Sequence, residues 1–205
     1  MQKILNLEKI ENSIVDRDYF PFFHIQDSIS DSYFKEIIEN FPDFKSGGSF
    51  PYTKGVGSKH LDMLITELQS KGFRSILEKK LEVDLSGKEV ITTLRGFSRS
   101  RDGKIHTDSK SKIVTVLLYL NSKWTSNQGH LRMLKNNYDL EDYIFEVPCS
   151  FGSMVAFKVT DNCWHGFLPY EGKRLSIQMN YVMPKSLKIH NFRHNLSHFI
   201  KKIFR

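Results

Sequence analysis

His106-Thr107-Asp108, a second histidine at position 165 and an arginine at 174 are the residues whose types and spacing point to chemistry. Two imidazoles and one carboxylate form the ligand set that holds a non-haem Fe(II) on one face and leaves the other positions open. Arg174, nine residues after His165, supplies a fixed cation whose planar fork suits the carboxylate of an oxo-acid cosubstrate. A His-x-Asp tripeptide by itself arises readily by chance, so the weight falls on the elements that must position it.

In a strand, residues i and i+2 share a face and lie about 6.6 Å apart. His106 and Asp108 are therefore expected to converge from one strand on an ion bonded at ~2.1 Å. Lys104-Ile105 leads into them after Arg99-Ser-Arg-Asp-Gly103, whose Asp-Gly pair reads as a turn. A second apolar strand, Gly152-Ser-Met-Val-Ala-Phe157, precedes His165. Phe167-Leu-Pro-Tyr-Glu-Gly172 then reads as a loop, and Arg174 to Val182 as a returning strand. In that strand Arg174, Ser176, Gln178 and Asn180 share one face, while Leu175, Ile177, Met179 and Tyr181 share the other. An ordinary amphipathic strand turns its polar face to water. This one begins with Arg-x-Ser close behind a candidate ligand, so we expect the polar face to line a pocket.

From about Val90 to Val182 the chain resembles the Fe(II)/2-oxoglutarate-dependent dioxygenases, in their prolyl-hydroxylase-like branch. The resemblance rests on His106-x-Asp108, on Tyr119-Leu-Asn121 with Trp124, on Gln128-Gly129-His-Leu131, and on Phe157, His165 and Arg174-x-Ser176, in that order. It implies a mainly β fold: a double-stranded β-helix (a cupin-like jelly-roll) with the metal between two sheets. It also implies that His106, Asp108 and His165 bind Fe(II) and serve catalysis. Arg174 and the Tyr119 hydroxyl would hold the distal carboxylate of 2-oxoglutarate, with Ser176 as a lesser helper. Fe(II), 2-oxoglutarate and dioxygen are then the expected cofactors, with ascorbate as a reductant. The expected reaction hydroxylates a C–H bond and releases succinate and carbon dioxide. Two departures stand out: Gln128-Gly129 replaces a Gly-Gly pair, and Phe97, which has no hydroxyl, stands where an aromatic often precedes the first ligand.

The flanking sequence reads as support. Asp31 to Phe41 places Phe34, Ile37, Ile38 and Phe41 at helical spacing, with Asp31 as N-cap and Pro42 as stop. Lys59 to Leu81 reads as a second helical stretch, broken near Gly72. We therefore expect one oxygenase domain over residues 1–182, with helical support over about 1–88 packed on one sheet and the jelly-roll core over about 89–182. The Gly/Ser/Pro-rich segment 42–57 reads equally as a substrate lid or an unstructured connector. Hydrophobic content of 40% argues for a folded globule.

Of the net charge of +7, Lys185, Lys188, Arg193, Lys201, Lys202 and Arg205 contribute six. Residues 183–205 are thus expected to form a basic amphipathic helix, docked on the domain or laid on an anionic membrane surface. No nucleic-acid motif accompanies the charge, so that partner is not expected. The chain carries no run of apolar residues long enough for a membrane span and no secretory leader. Its two cysteines, Cys149 and Cys163, are read as free thiols. Together these predict a cytoplasmic protein, peripheral at the inner membrane face if the tail meets lipid.

A second basic cluster, including Arg95 and Arg101, brackets the His-x-Asp. It reads either as solvated surface or as a mouth attracting an anionic substrate. Arg95, Arg101 and Trp124 are the candidate substrate contacts. The substrate class stays open between a prolyl or peptidyl group and an anionic saccharide or glycolipid. A non-catalytic jelly-roll binding 2-oxoglutarate or a saccharide is the alternative, and a structural zinc site would leave Arg174 unexplained.

Overall fold

The computed structural model describes residues 3–184. The basic helix expected over 183–205 therefore lies outside the described residues, apart from its first two positions. In chain order the elements begin with α1 (Leu7–Asn12), β1 (Val15–Asp16), β2 (Phe22–Ile25), a 3-10 turn (Asp31–Tyr33), α2 (Phe34–Ile38) and β3 (Phe50–Pro51). Next come α3 (Lys59–Leu68), α4 (Lys71–Leu81), β4 (Glu89–Ser98), β5 (Lys112–Tyr119) and β6 (Leu131–Leu134). The last four are β7 (Tyr143–Val147), β8 (Met154–Lys158), β9 (His165–Gly166) and β10 (Gly172–Val182).

Two antiparallel sheets face each other. The larger has the order β1-β2-β8-β5-β10-β4-β3, and the smaller β7-β6-β9. The period-2 pattern of the central strands sorts their side chains into two cores. Val114, Val116 and Leu118 of β5, Met154 and Ala156 of β8, and Leu175, Ile177, Met179 and Tyr181 of β10 pack with α3 and α4 on the outer face. Leu117, Tyr119, Val155 and Phe157 point the other way, between the sheets, and meet Leu131, Met133 and Val147 of the smaller sheet. Being covered on both faces, β5 is nearly continuously apolar. This is the mainly β jelly-roll with helices against one sheet that the sequence led us to expect.

The helices differ in detail. Leu61, Leu64, Ile65 and Leu68 of α3, and Phe73, Ile76 and Leu77 of α4, are all buried. The break falls at Gln69-Ser70, ahead of Gly72. The Ser70 side chain accepts from Phe73 N at 3.2 Å and starts a new helix. Ser70→Ala is expected to cost about 1 kcal/mol, read as a lowered urea midpoint; an unchanged midpoint would show that the cap contributes nothing. Asp31 is not an N-cap: Ser30 precedes the 3-10 turn and makes no capping bond, and only Phe34–Ile38 is α-helical. Residues 1–88 are also not purely helical, because β1 and β2 extend one edge of the larger sheet and β3 the other.

Segment 42–57 packs along the larger sheet, and none of its residues lines the cavity described below. Phe44 and Phe50 stack at 4.3 Å, and β3 pairs along β4. Phe44 sits so close to Gly96 that an added Cβ there would lie 2.7 Å from its ring. No described helix is long and apolar enough to cross a membrane.

Candidate metal centre

His106 and Asp108 do not share a regular strand, as the spacing suggested. They lie on an extended segment between β4 and β5, and His106 makes a single antiparallel bridge with His165. Each backbone N–H of that pair donates to the other's carbonyl at 3.0 Å. This exchange sets the two rings 4.3 Å apart. Ligand atoms of His106, Asp108 and His165 all lie within 4.8 Å of one another.

The donor set fits a divalent ion. His106 Nδ1 is bonded to the Lys104 carbonyl and His165 Nδ1 to the Cys163 carbonyl, both at 2.8 Å. A carbonyl can only accept, so each Nδ1 carries its proton and each Nε2 presents a lone pair to the centre. Asp108 accepts from Lys112 Nζ at 2.7 Å on one oxygen and from the Thr115 hydroxyl on the other. A carboxylate oxygen has a second lone pair, which leaves Asp108 able to bind a metal as well.

Burial, with the neighbouring His106 ring, pulls His165 down to about 4. It is neutral at ordinary pH, as a metal ligand must be. Burial pushes the Asp108 carboxyl up, but Lys112, His165 and Thr115 together outweigh it and hold it below the usual range. His24, bonded to Ser153 at 3.0 Å, is also pulled by burial to about 4. The unfolded chain protonates such groups near 6.5, the folded one only near 4. The unfolded state thus binds more protons within that window. Metal-free protein is expected to lose stability steadily as pH falls from 6.5 towards 4. Urea midpoints measured across the window test this, and a flat profile would contradict buried neutral imidazoles.

Arg174 lies where β10 carries one extra residue against β4, between the Lys173–Phe97 and Ser176–Arg95 pairs. Such a bulge re-aims a side chain. Asn121 closes it, accepting from Leu175 N at 2.7 Å and donating to the Cys149 carbonyl at 2.6 Å. The guanidinium is buried. It donates from Nε to the Gly129 carbonyl at 2.9 Å and from Nη2 to the Tyr119 hydroxyl at 3.0 Å, and it lies 4.2 Å from the Phe167 ring centre. Burial disfavours its charge, but the Tyr119 and Cys149 groups more than compensate and hold it above its ordinary value.

His106, Asp108, His165, Tyr119, Arg174 and Arg95 all line one cavity of about 280 Å3. Ser176 sits in the same cross-strand row, opposite Tyr119 on one side and Arg95 on the other, fully buried with an unpartnered hydroxyl. Two of the candidate substrate contacts fall elsewhere. Arg101 is exposed and does not line the cavity. Trp124 donates to the Gln128 carbonyl and packs on Tyr170 at 4.6 Å, beside a separate cleft.

Sequence reading missed Thr115 and did not see that Lys112 holds Asp108 with it, nor that Asn121 and the Gly129 carbonyl, which stand in the motifs above, hold Arg174. Only the alternation of β5 carried a hint, since Thr115 shares the inward face of Leu117 and Tyr119. Gly103 was read only as a turn residue. Its φ is +90°, and an added Cβ would lie 2.6 Å from the Phe167 carbonyl oxygen. Gly103→Ala is expected to cost roughly 1–3 kcal/mol and to loosen the segment carrying His165. Thermal melting and a Mn(II) titration would show both effects; wild-type values in both would remove Gly103 from the site's support.

Residues 95–182 match the model of the 2OG-Fe(II) oxygenase superfamily, whose members use Fe(II), 2-oxoglutarate and dioxygen. No curated protein matches the chain. Among solved structures, a Pseudomonas putida prolyl-4-hydroxylase is similar at 17% identity and TM-score 0.60, over 86% of this chain and 98% of that one. A prolyl 4-hydroxylase from Phytophthora capsici shares 16% identity at TM-score 0.59, over 90% of this chain and 68% of that one. A Trichoplax adhaerens prolyl hydroxylase, in complex with a hypoxia-inducible-factor oxygen degradation domain peptide fragment, shares 17% identity at TM-score 0.56. It matches over 89% of this chain and 91% of that one. At such identities these likenesses speak for the fold alone.

Proposed function

We propose, from the match of residues 95–182 to the 2OG-Fe(II) oxygenase superfamily model, that this protein is an Fe(II)- and 2-oxoglutarate-dependent dioxygenase that hydroxylates a C–H bond of its substrate. The observation that carries the reading is the meeting, in one cavity, of two imidazoles and a carboxylate with a buried arginine already paired to a tyrosine hydroxyl. A structural zinc site would use the first group and leave the second without a task.

His106, Asp108 and His165 would hold the metal, and Arg174 with Tyr119 the distal carboxylate of 2-oxoglutarate. When bound, iron and 2-oxoglutarate supply the oxidising equivalents from dioxygen, with succinate and carbon dioxide as co-products. The protein's own part is to bind, orient and exclude water. The Lys104 and Cys163 carbonyls fix the imidazoles. Leu117, Leu131 and Phe167 give the cavity apolar walls.

A prolyl group in a peptide is the substrate suggested by the names of the solved relatives. An anionic saccharide or glycolipid is the other candidate, favoured by the cationic groups along the cavity. Mass spectrometry on both kinds of substrate tests the reaction. The expected result is a product heavier by one oxygen atom, formed in equal amount with succinate and absent with His165→Ala. Oxygen insertion without succinate would overturn the assignment.

A further inference from the structure

The cavity contains a second guanidinium, that of Arg95, which has no task in the reading above. Arg95 faces inward from β4, in register with Ser176 and, one strand further, Tyr119. It lines the same cavity as the candidate ligands and Arg174. Its Nε is buried without a hydrogen-bond partner. Among the described residues no carboxylate lies within ion-pair distance of it; Asp102, whose charge it feels, is bound to Arg99.

Holding a second guanidinium beside Arg174 in a partly desolvated cavity is costly unless an anion joins them. The lining contains Arg95, Arg174 and Lys112 against Asp108 alone. A divalent ion and the doubly charged 2-oxoglutarate cancel each other, so their arrival leaves that excess of positive charge in place. On the oxygenase reading both cosubstrate carboxylates would already be held, one at the metal and the other by Arg174 and Tyr119.

We infer that Arg95 anchors an anionic group, a carboxylate or a phosphate, carried by the substrate close to the C–H bond that is hydroxylated. Gln178, on the same wall two residues beyond Ser176, is placed to assist as a neutral donor. A prolyl residue inside a peptide brings no such charge, so the inference selects substrates with a free carboxylate or a phosphoryl group near the reacting carbon. It rests on the oxygenase reading above.

The test uses full-length protein loaded with Mn(II) and saturated with 2-oxoglutarate, titrated calorimetrically with acetate and, separately, inorganic phosphate. Wild type is expected to bind one of them, and which one identifies the anion class. Arg95→Gln should weaken that binding by about tenfold or more, the loss of one charge-assisted contact. Arg95→Lys should recover part of it, and Arg101→Gln, at an exposed position, none of the loss. The 2-oxoglutarate constant of Arg95→Gln should stay at the wild-type value, which also reports that the variant is folded. Should that variant not fold, wild type alone decides: anion binding must persist at saturating 2-oxoglutarate. Loss of 2-oxoglutarate affinity in a folded Arg95→Gln, competition between the anion and 2-oxoglutarate, or no anion binding by wild type would each overturn the inference. Failure of wild type to bind 2-oxoglutarate at all would instead sink the oxygenase reading itself.

Discussion

Replacing Arg174 by alanine is expected to raise the dissociation constant for 2-oxoglutarate by about 30- to 4000-fold, since losing a buried charge-assisted contact costs on the order of 2–5 kcal/mol. The structure gives the reason for placing the value in this high range. Arg174 is 5% exposed, and its bonds to the Gly129 carbonyl and the Tyr119 hydroxyl hold the guanidinium plane still. Further N–H donors remain for a carboxylate. The interaction is therefore pre-organised and screened little by water. Tyr119→Phe removes one neutral hydrogen bond, so the expected loss is about 0.5–1.5 kcal/mol. Arg174→Lys keeps the charge without the planar fork and should fall between the two. Titration of the Mn(II)-loaded protein measures all three. An unchanged constant in Arg174→Ala would move the carboxylate clamp elsewhere.

The second large effect concerns the metal. Anaerobic addition of Fe(II) and 2-oxoglutarate is expected to produce a weak visible charge-transfer band, because a 2-oxo acid chelates iron through its carboxylate and ketone. Removing an outer partner of a metal ligand typically costs 10–100-fold in affinity. His106→Ala, Asp108→Ala or His165→Ala removes a ligand itself, so each should weaken metal binding by more than about 100-fold and abolish the band. Asp108→Ala also strands Lys112, which is bonded to that carboxylate, and leaves Thr115 only its bond to Asn180. Asp108→Asn, closer in shape, separates loss of a ligand from loss of fold, and melting curves recorded with chelator provide the control. Full iron binding with the band intact in the histidine variants would mean that the metal sits elsewhere.

Much of the site was legible because its carriers follow short-range rules. The alternation from Arg174 to Val182 announced two faces of β10, and the structure divides them that way, apolar outward and polar inward, with Arg174 and Gln178 of the polar face lining the cavity. The stripes Leu61–Leu68 and Phe73–Leu77 likewise announced helices covering one sheet. The break expected near Gly72 comes at Ser70, which offers a cap. Where the reading slipped, a distant partner won. The short strands β1, β2 and β3 have too few residues for periodicity to register, and they exist because the sheet offers open edges.

The sequence by itself determined which residue types could serve as ligands, their order along the chain and the presence of a candidate cation behind them, since these follow from chemistry and from spacing within single segments. Tertiary structure decided the rest. The register of His106 against His165 is set by pairing between residues 59 positions apart in the chain. The bulge at Arg174 is closed by Asn121, 54 positions away from Leu175. Arg95 lines the cavity because β4 pairs beside β10, while Arg101 is exposed in the turn ahead of the ligand segment and Trp124 packs on Tyr170 beside another cleft. Such decisions depend on which distant backbone groups satisfy one another once the sheets close, a condition that no window of neighbouring residues contains.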